Sequence, residues 1–261
     1  MRMKDEDEDE DDDDDEDAMR GGIGGSFYDQ WPYSKPKDIL PYIYANAKEG
    51  DARGVLAAMD EFGTYYPMWK LGPEKGGMLE GLVDKYKPAR MLEIGTFLGY
   101  SAIHTALRLP PGGKLTCIEG NPEFAAVAKS MIKYAGQSGR VEVVVGRSDR
   151  MIPEVVSRLG TADIIFEDHA KDAYLPDLLQ MMGLGLVRPG TVVVADNVLY
   201  SGGAPPPKGW LEYLVPENGW STELLDAAFE YEAAWKQGWE DEVERDALSV
   251  SVYNGPVEGG G

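Results

Sequence analysis

The 261-residue chain contains one cysteine, two histidines and no Asn-x-Ser/Thr sequon. A single cysteine excludes an intramolecular disulfide and fits a reducing compartment. With so few thiols and imidazoles, a zinc site built on sulfur and nitrogen has almost nothing to draw on. No run approaches the roughly 18 apolar residues of a membrane span. The first residues lack the apolar segment of a secretory signal. The chain is therefore expected to be cytoplasmic, with no membrane partner. Basic residues are also scarce: 25 Lys and Arg stand against 46 Asp and Glu, for a net charge of −21. Holding phosphates takes a basic face, so no nucleic-acid partner is expected.

Much of the acidity is local. Residues 5–17, DEDEDEDDDDDED, are 13 consecutive acids. Such a run repels itself and buries nothing. GGIGG (21–25) reads as a flexible joint. Residues 1–25 are thus expected to form a disordered acidic tail, and residues 38–255 a single domain with its own core.

From residue 38 onward, DILPYIYANAKEGDARGVLAAMDEFG has apolar residues at helical spacing, with Gly50-Asp51 as a stop and a new cap. EKGGMLEGLVDKY (74–86) adds a third helix. Then short apolar runs alternate with helical segments. The strands are ARMLEIG, GKLTCIE, RVEVVVG, ADIIFED and GTVVVADNV. The helices between them are GYSAIHTALRL, NPEFAAVAKSMIKYAG, SDRMIPEVVSRLG and DAYLPDLLQMMGLG. Asn121 and Pro122 supply a helix start, and Gly136 a stop. This alternation predicts an α/β fold of the Rossmann-like, doubly wound kind, with a mostly parallel sheet covered on both faces. STELLDAAFEYEAAW and DALSVSVY lack a crossover helix between them, which predicts an antiparallel edge pair. The full sheet then has seven strands.

In such sheets ligands bind beyond the carboxyl ends of the strands. Glu93, Gly95, Glu119, Asp168 and Asp196 fall there. EIGTFLGYS (93–101) is a glycine-bearing turn, but Gly95 and Gly99 do not complete G-x-G-x-x-G. Glu93 would repel a pyrophosphate, which disfavours a dinucleotide and an NAD-dependent oxidoreductase. It suits S-adenosylmethionine, a cation without phosphate. Glu119 follows Gly95 by 24 residues, where an acid takes ribose hydroxyls. Ser148 and Asp149 follow the third strand, in reach of an adenine.

FEDHAKDAYLPD and VVVADNVLY each end a strand in polar residues. If their strands are neighbours, Asp168 and Asp196 lie about 4.8 Å apart across the sheet. Paired carboxylates call for a cation. Asn197 adds an amide oxygen, completing a hard-oxygen set suited to Mg2+. Lys171, three residues after Asp168, would then serve as a base for a substrate hydroxyl.

MLEIGTFLGYSAI, CIEGNPEFAAVAKSMI, VVVGRSDRMIP, DIIFEDHAKDAYLPD and GTVVVADNV closely resemble catechol O-methyltransferases, a Mg2+- and S-adenosylmethionine-dependent family. The resemblance spans residues 39–255. It implies metal ligands at Asp168, Asp196 and Asn197, and a catalytic base at Lys171. It implies cofactor contacts at Leu71, Glu93, Gly95, Phe97, Ser101, Glu119, Ser148, Asp149 and His169, with Trp69 near the methionine end. Substrate contacts fall on Lys171, Asn197 and Glu240, with Glu242 as the alternative to Glu240. The implied substrate is a small catechol-like molecule and the implied enzyme a monomer. Several walls of the ring site depart from the family: Ala170 replaces a tryptophan, Pro67 an aromatic residue, Ser201 a proline and Trp239 a leucine. Two rivals weigh less. An enzyme of the caffeoyl-coenzyme A type would need a basic cluster, and a non-catalytic acidic-tailed interaction protein would show a broken metal triad.

Overall fold

The computed structural model describes residues 38–66, 68–199, 205–229 and 245–257, all within the compact unit Pro32–Gly261. Three helices lead: α1 (Ile39–Asn46), α2 (Ala52–Tyr65) and α3 (Gly72–Tyr86). Strands and helices then alternate as β1 (Arg90–Ile94), α4 (Tyr100–Arg108), β2 (Lys114–Glu119), α5 (Pro122–Tyr134), β3 (Val141–Val145), α6 (Ser148–Leu159), β4 (Ile164–Glu167), α7 (Tyr174–Gly183) and β5 (Val192–Ala195). A short α8 (Trp210–Tyr213) precedes β6 (Trp220–Ala228) and β7 (Arg245–Tyr253). The seven strands run in the order β3-β2-β1-β4-β5-β7-β6. All neighbours are parallel except β7, which is antiparallel to both β5 and β6.

The continuous apolar strands follow from this layering. Alternate residues point to opposite faces of a sheet. Met91, Ile164, Phe166, Val192 and Val194 enter the core under α1–α5, while Leu92, Ile165, Val193 and Ala195 enter the core under α6–α8. Helix boundaries are set locally. Asp51 Oδ1 accepts the Gly54 N–H at 3.0 Å, and Asn121 Oδ1 accepts those of Glu123 and Phe124 at 2.8 and 3.2 Å. Side-chain caps of this kind satisfy otherwise orphaned first-turn donors.

One boundary differs from the sequence reading. The helix after β4 begins at Tyr174, not at Asp172, and Lys171–Ala173 forms a separate 3-10 turn. Pro176 suits this boundary, since it then falls in the first turn of the helix, where its missing N–H leaves no bond unmade. Lys171 therefore sits on the turn, nearer the strand tip. Among the described residues no helix is long and apolar enough to cross a membrane.

Candidate active site

The chain order reverses between β1 and β4, which opens a crevice at their carboxyl ends. The β1 turn and the β4 tip touch there. A Cβ on Gly95 would lie 2.2 Å from the Asp168 carbonyl oxygen, and Gly95 has φ of +89°. Glycine is thus required twice over at this position. Phe97 also adopts a left-handed conformation, with φ of +46°, which a bulky residue rarely tolerates outside a constrained site. Its ring lies 5.8 Å from that of Trp69 and packs edge-on at 4.8 Å against Phe124. Phe124 had no signal in the sequence beyond its helix.

Glu93 is fully buried in β1, and neither carboxylate oxygen has a hydrogen-bond partner. Burial pushes its carboxyl from 4.5 up to about 8; Ser101 opposes this and the Asp168 charge adds to it. Ser101 itself is buried in the first turn of α4, and Leu71 is buried just before α3. An orphaned carboxylate at a strand tip is the feature a cationic ligand would complete. Glu119 differs. Its Oε2 accepts the Thr96 and Phe97 N–H groups at 3.1 and 2.7 Å, and its Oε1 that of Asn121 at 2.8 Å. Burial raises its carboxyl pKa, and those three backbone donors counter the rise. Glu119 therefore ties the β1 turn to the β2 tip before any ligand arrives. Ser148 opens α6, and the Asp149 carboxylate turns to Arg147 (3.1 Å) and Arg150 (3.6 Å) at the surface.

Asp168 and Asp196 each follow the parallel pair Glu167↔Ala195 by one residue. They are neighbours across adjoining strand tips, as the sequence required. Lys171 Nζ reaches Asp168 Oδ1 at 3.1 Å and Tyr174 Oη at 2.6 Å, and that hydroxyl donates to the Asp196 carbonyl oxygen at 3.1 Å. Asn197 has φ of +55°, in the left-handed region that asparagine tolerates best among non-glycine residues. Its Nδ2 donates to Asp246 Oδ2 at 3.0 Å, which directs its amide oxygen away from Asp246. His169 Nε2 is hydrogen-bonded to Asp177 Oδ2 at 2.8 Å, whereas Nδ1 lies 3.3 Å from Glu167 Oε2 without a hydrogen bond. Its ring stacks on Tyr174 at 5.1 Å.

A family model described as O-methyltransferase matches residues 50–208. Catechol O-methyltransferase B of Danio rerio is 36% identical over 226 residues, covering 85% of this chain and 80% of its own. Catechol O-methyltransferase of Bos taurus is 37% identical over 202 residues, covering 76% and 72% respectively. This chain belongs to the catechol O-methyltransferase family. It is accordingly an S-adenosylmethionine-dependent O-methyltransferase. Among solved structures, the O-methyltransferase TomG from Streptomyces achromogenes, in complex with SAM, superposes with a TM-score of 0.61 at 27% identity. That match covers 84% of this chain and 96% of TomG.

Within this methyltransferase site, three residues escaped the sequence reading. Lys75 on α3 and Asp246 on β7 are both fully buried, and Lys75 Nζ lies 2.7 Å from Asp196 Oδ1 and 2.5 Å from Asp246 Oδ2. Asp196 is thus held by a buried ammonium as well as lying at the crevice. Tyr174, the third, fixes Lys171 as described. Behind them Glu167 is buried without a hydrogen-bond partner, and burial, then the Asp177 charge, hold its carboxyl well above the usual range. Among the described residues no group of three or more His, Cys, Asp and Glu forms a metal cluster. The candidate set is instead two carboxylates and an amide. Ala170, where the family has tryptophan, is exposed. Glu240, Glu242, Pro67, Ser201 and Trp239 lie outside the described residues.

Proposed function

We propose that residues 38–255 form a Mg2+-dependent enzyme that moves the methyl of S-adenosylmethionine to one hydroxyl of a small catechol-like substrate. The observation that supports this most is the convergence of Asp168, Asp196 and Asn197 at two adjoining strand tips, with Lys171 hydrogen-bonded to Asp168. Two carboxylate donors and one amide donor suit a hard, octahedral cation. Asp168, Asp196 and the Asn197 amide oxygen would hold it, and it would lend Lewis acidity to a vicinal pair of hydroxyls. The fixed orientation of the Asn197 amide favours its oxygen as the donor.

Glu93 answers the cationic methionine end of the cofactor, and Gly95, Phe97, Ser101 and Leu71 shape the pocket around it. Glu119 keeps lone pairs for ribose hydroxyls while bracing the turn. His169 offers its ring to the adenine side, with Ser148 and Asp149 beyond. Lys171 takes the proton of the hydroxyl that is methylated. Tyr174 and Asp168 hold its Nζ at the crevice, so base and substrate oxygen meet without a search. Such positioning is the main source of rate in a simple displacement. The relatives named as catechol O-methyltransferases support the vicinal diol as acceptor.

The test is methyl transfer from labelled S-adenosylmethionine to catechol, caffeate, caffeoyl-coenzyme A and a monophenol, with Mg2+ and with EDTA. Transfer to the free diols, lost in EDTA and restored by Mg2+, is expected. Chelator-insensitive activity, or equal transfer to the monophenol, would refute the reading.

A further inference from the structure

The turn after β1 is pinned along its backbone. Gly95 abuts the Asp168 carbonyl, and a Cβ on Gly99 would already touch Ile132 at 3.4 Å and Ala128 at 3.5 Å on α5. Between them the left-handed Phe97 donates its N–H to Glu119 Oε2 at 2.7 Å. These contacts fix where the Phe97 side chain leaves the turn. They do not fix its ring, whose torsions are settled by what it packs against. Two other rings meet it: Trp69 at 5.8 Å, and Phe124 at 4.8 Å and nearly perpendicular, at 83°.

Phe124 is the better anchored of the two. Trp69 stands between α2 and α3, outside any helix or strand. Phe124 lies in the first turn of the 13-residue α5, whose Ala125 and Ala128 are buried. Its N–H donates to Asn121 Oδ1 at 3.2 Å, and the Asn121 N–H donates to Glu119 Oε1 at 2.8 Å. Glu119 thus grips the backbone of Phe97 with one oxygen and the start of α5 with the other. The contact between the two phenyl rings closes the circuit. Both rings are partly buried against the core, so each keeps open surface.

We propose that Phe124 is a positioning residue that aims the Phe97 ring at the cationic end of the cofactor, and so sets the affinity for the charged methyl donor relative to its neutral product. The proposal rests on the reading above that puts Phe97 at that end. An aromatic face attracts a cation through its quadrupole. S-adenosylmethionine carries a sulfonium, whereas S-adenosylhomocysteine, left after methyl transfer, has a neutral thioether at the same atom. Adenine, ribose and amino acid are common to both. A Phe124 that only fills space moves both affinities together. A Phe124 that aims Phe97 moves their ratio.

The experiment measures both affinities by calorimetry on the full chain, at one pH and in EDTA. In Phe124→Leu the affinity for S-adenosylmethionine relative to S-adenosylhomocysteine falls by about two- to tenfold. Phe97→Leu lowers it at least as far, and adding Phe124→Leu to Phe97→Leu changes it no further, because the two act through one ring. Phe124→Tyr keeps a ring and keeps the wild-type ratio. An unchanged ratio in Phe124→Leu, or a further fall in the double variant, overturns the proposal. So does a shift in Phe124→Tyr equal to that in Phe124→Leu. Should Phe124→Leu fail to fold, Phe124→Met gives the same readout with the same two outcomes. An unchanged ratio in Phe97→Leu alone takes Phe97 from the cationic end, and the reading beneath the proposal falls with it.

Discussion

Glu93 gives the sharpest test of the cofactor assignment, because its protonation should change when S-adenosylmethionine binds. In the unliganded chain burial raises its carboxyl to about 8. At pH 7 such a group is about nine-tenths protonated. A ligand ammonium or sulfonium favours the ionised form, so the bound state has the lower pKa. Binding at pH 7 should then release about 0.9 proton. Affinity should rise about ninefold from pH 6 to 7 and level off near 8. The ligand's own α-amino group begins to titrate near about 7.7, so the informative window is roughly pH 5.5 to 7. Calorimetry in two buffers of different ionisation enthalpy reads the proton directly. EDTA keeps divalent ions from Asp168, whose charge contributes to the shift. In Glu93→Gln the release should vanish and the pH dependence flatten. Tight binding by the wild type at pH 7 with no proton released would mean that Glu93 does not face the cationic end. Stability of the unliganded chain runs the opposite way. The raised value favours the neutral form in the fold, so this group costs nothing below its ordinary 4.5 and destabilises the unliganded chain progressively as pH climbs to about 8.

Other perturbations separate the remaining roles. Lys171→Met should lower methyl transfer by about 10²–10⁴-fold while leaving S-adenosylmethionine affinity nearly unchanged by calorimetry; equal loss of both would contradict the base role. Tyr174→Phe removes a buried hydroxyl 2.6 Å from Lys171 Nζ and 3.1 Å from the Asp196 carbonyl. It should cost about 1–3 kcal/mol in urea unfolding and lower kcat more than it raises the acceptor KM, whereas a change confined to stability would assign Tyr174 to structure alone. Gly95→Ala forces a methyl to within 2.2 Å of the Asp168 carbonyl oxygen. Thermal unfolding should show a loss of at least about 1–3 kcal/mol, and cofactor binding should weaken; a variant as stable as the wild type would show that the two tips are not held together.

The architecture was legible because doubly buried strands cannot alternate polar and apolar residues, and the fully buried β4 and β5, IIFE and VVVA, do not. Asp51 and Asn121 marked helix starts because their side chains serve only the local backbone. Asp168 and Asp196 were legible as neighbours because each ends its strand at the same level of the sheet. Lys75 and Asp246 were not, since they stand 171 positions apart and meet only in the folded chain. Lys75 did leave a trace. It shares a helical stripe with Leu79, Leu82 and Val83, where a lysine has no business unless something inside receives it. Asp246, next to Ala247 and Leu248 in a buried strand, is the corresponding trace on the other side. Read together, an inward lysine and an inward aspartate would have pointed to a buried pair. Only the topology, which lays β7 beside β5, could say that Asp196 joins them.

The two lysines at this site divide the work by depth. Asp168, Asp196 and Asp246 bring three negative charges to the strand tips, and Lys75 and Lys171 return two. Lys75 is sealed under α3 and paired on both sides, so it stays whatever binds at the crevice. Its Nζ lies between Asp196 and Asp246, two buried carboxylates that would otherwise face each other without a cation. Lys171 stands nearer the opening, with its side chain 18% exposed and its partner Asp168 at 24%. Tyr174 and Asp168 hold its Nζ there at 2.6 and 3.1 Å. The buried lysine is therefore the structural one, and the lysine at the opening is the one placed to meet a substrate hydroxyl. Changes at Lys75 should show first as lost stability, because they remove the ammonium that pairs Asp196 with Asp246, while changes at Lys171 should show first in the transfer step.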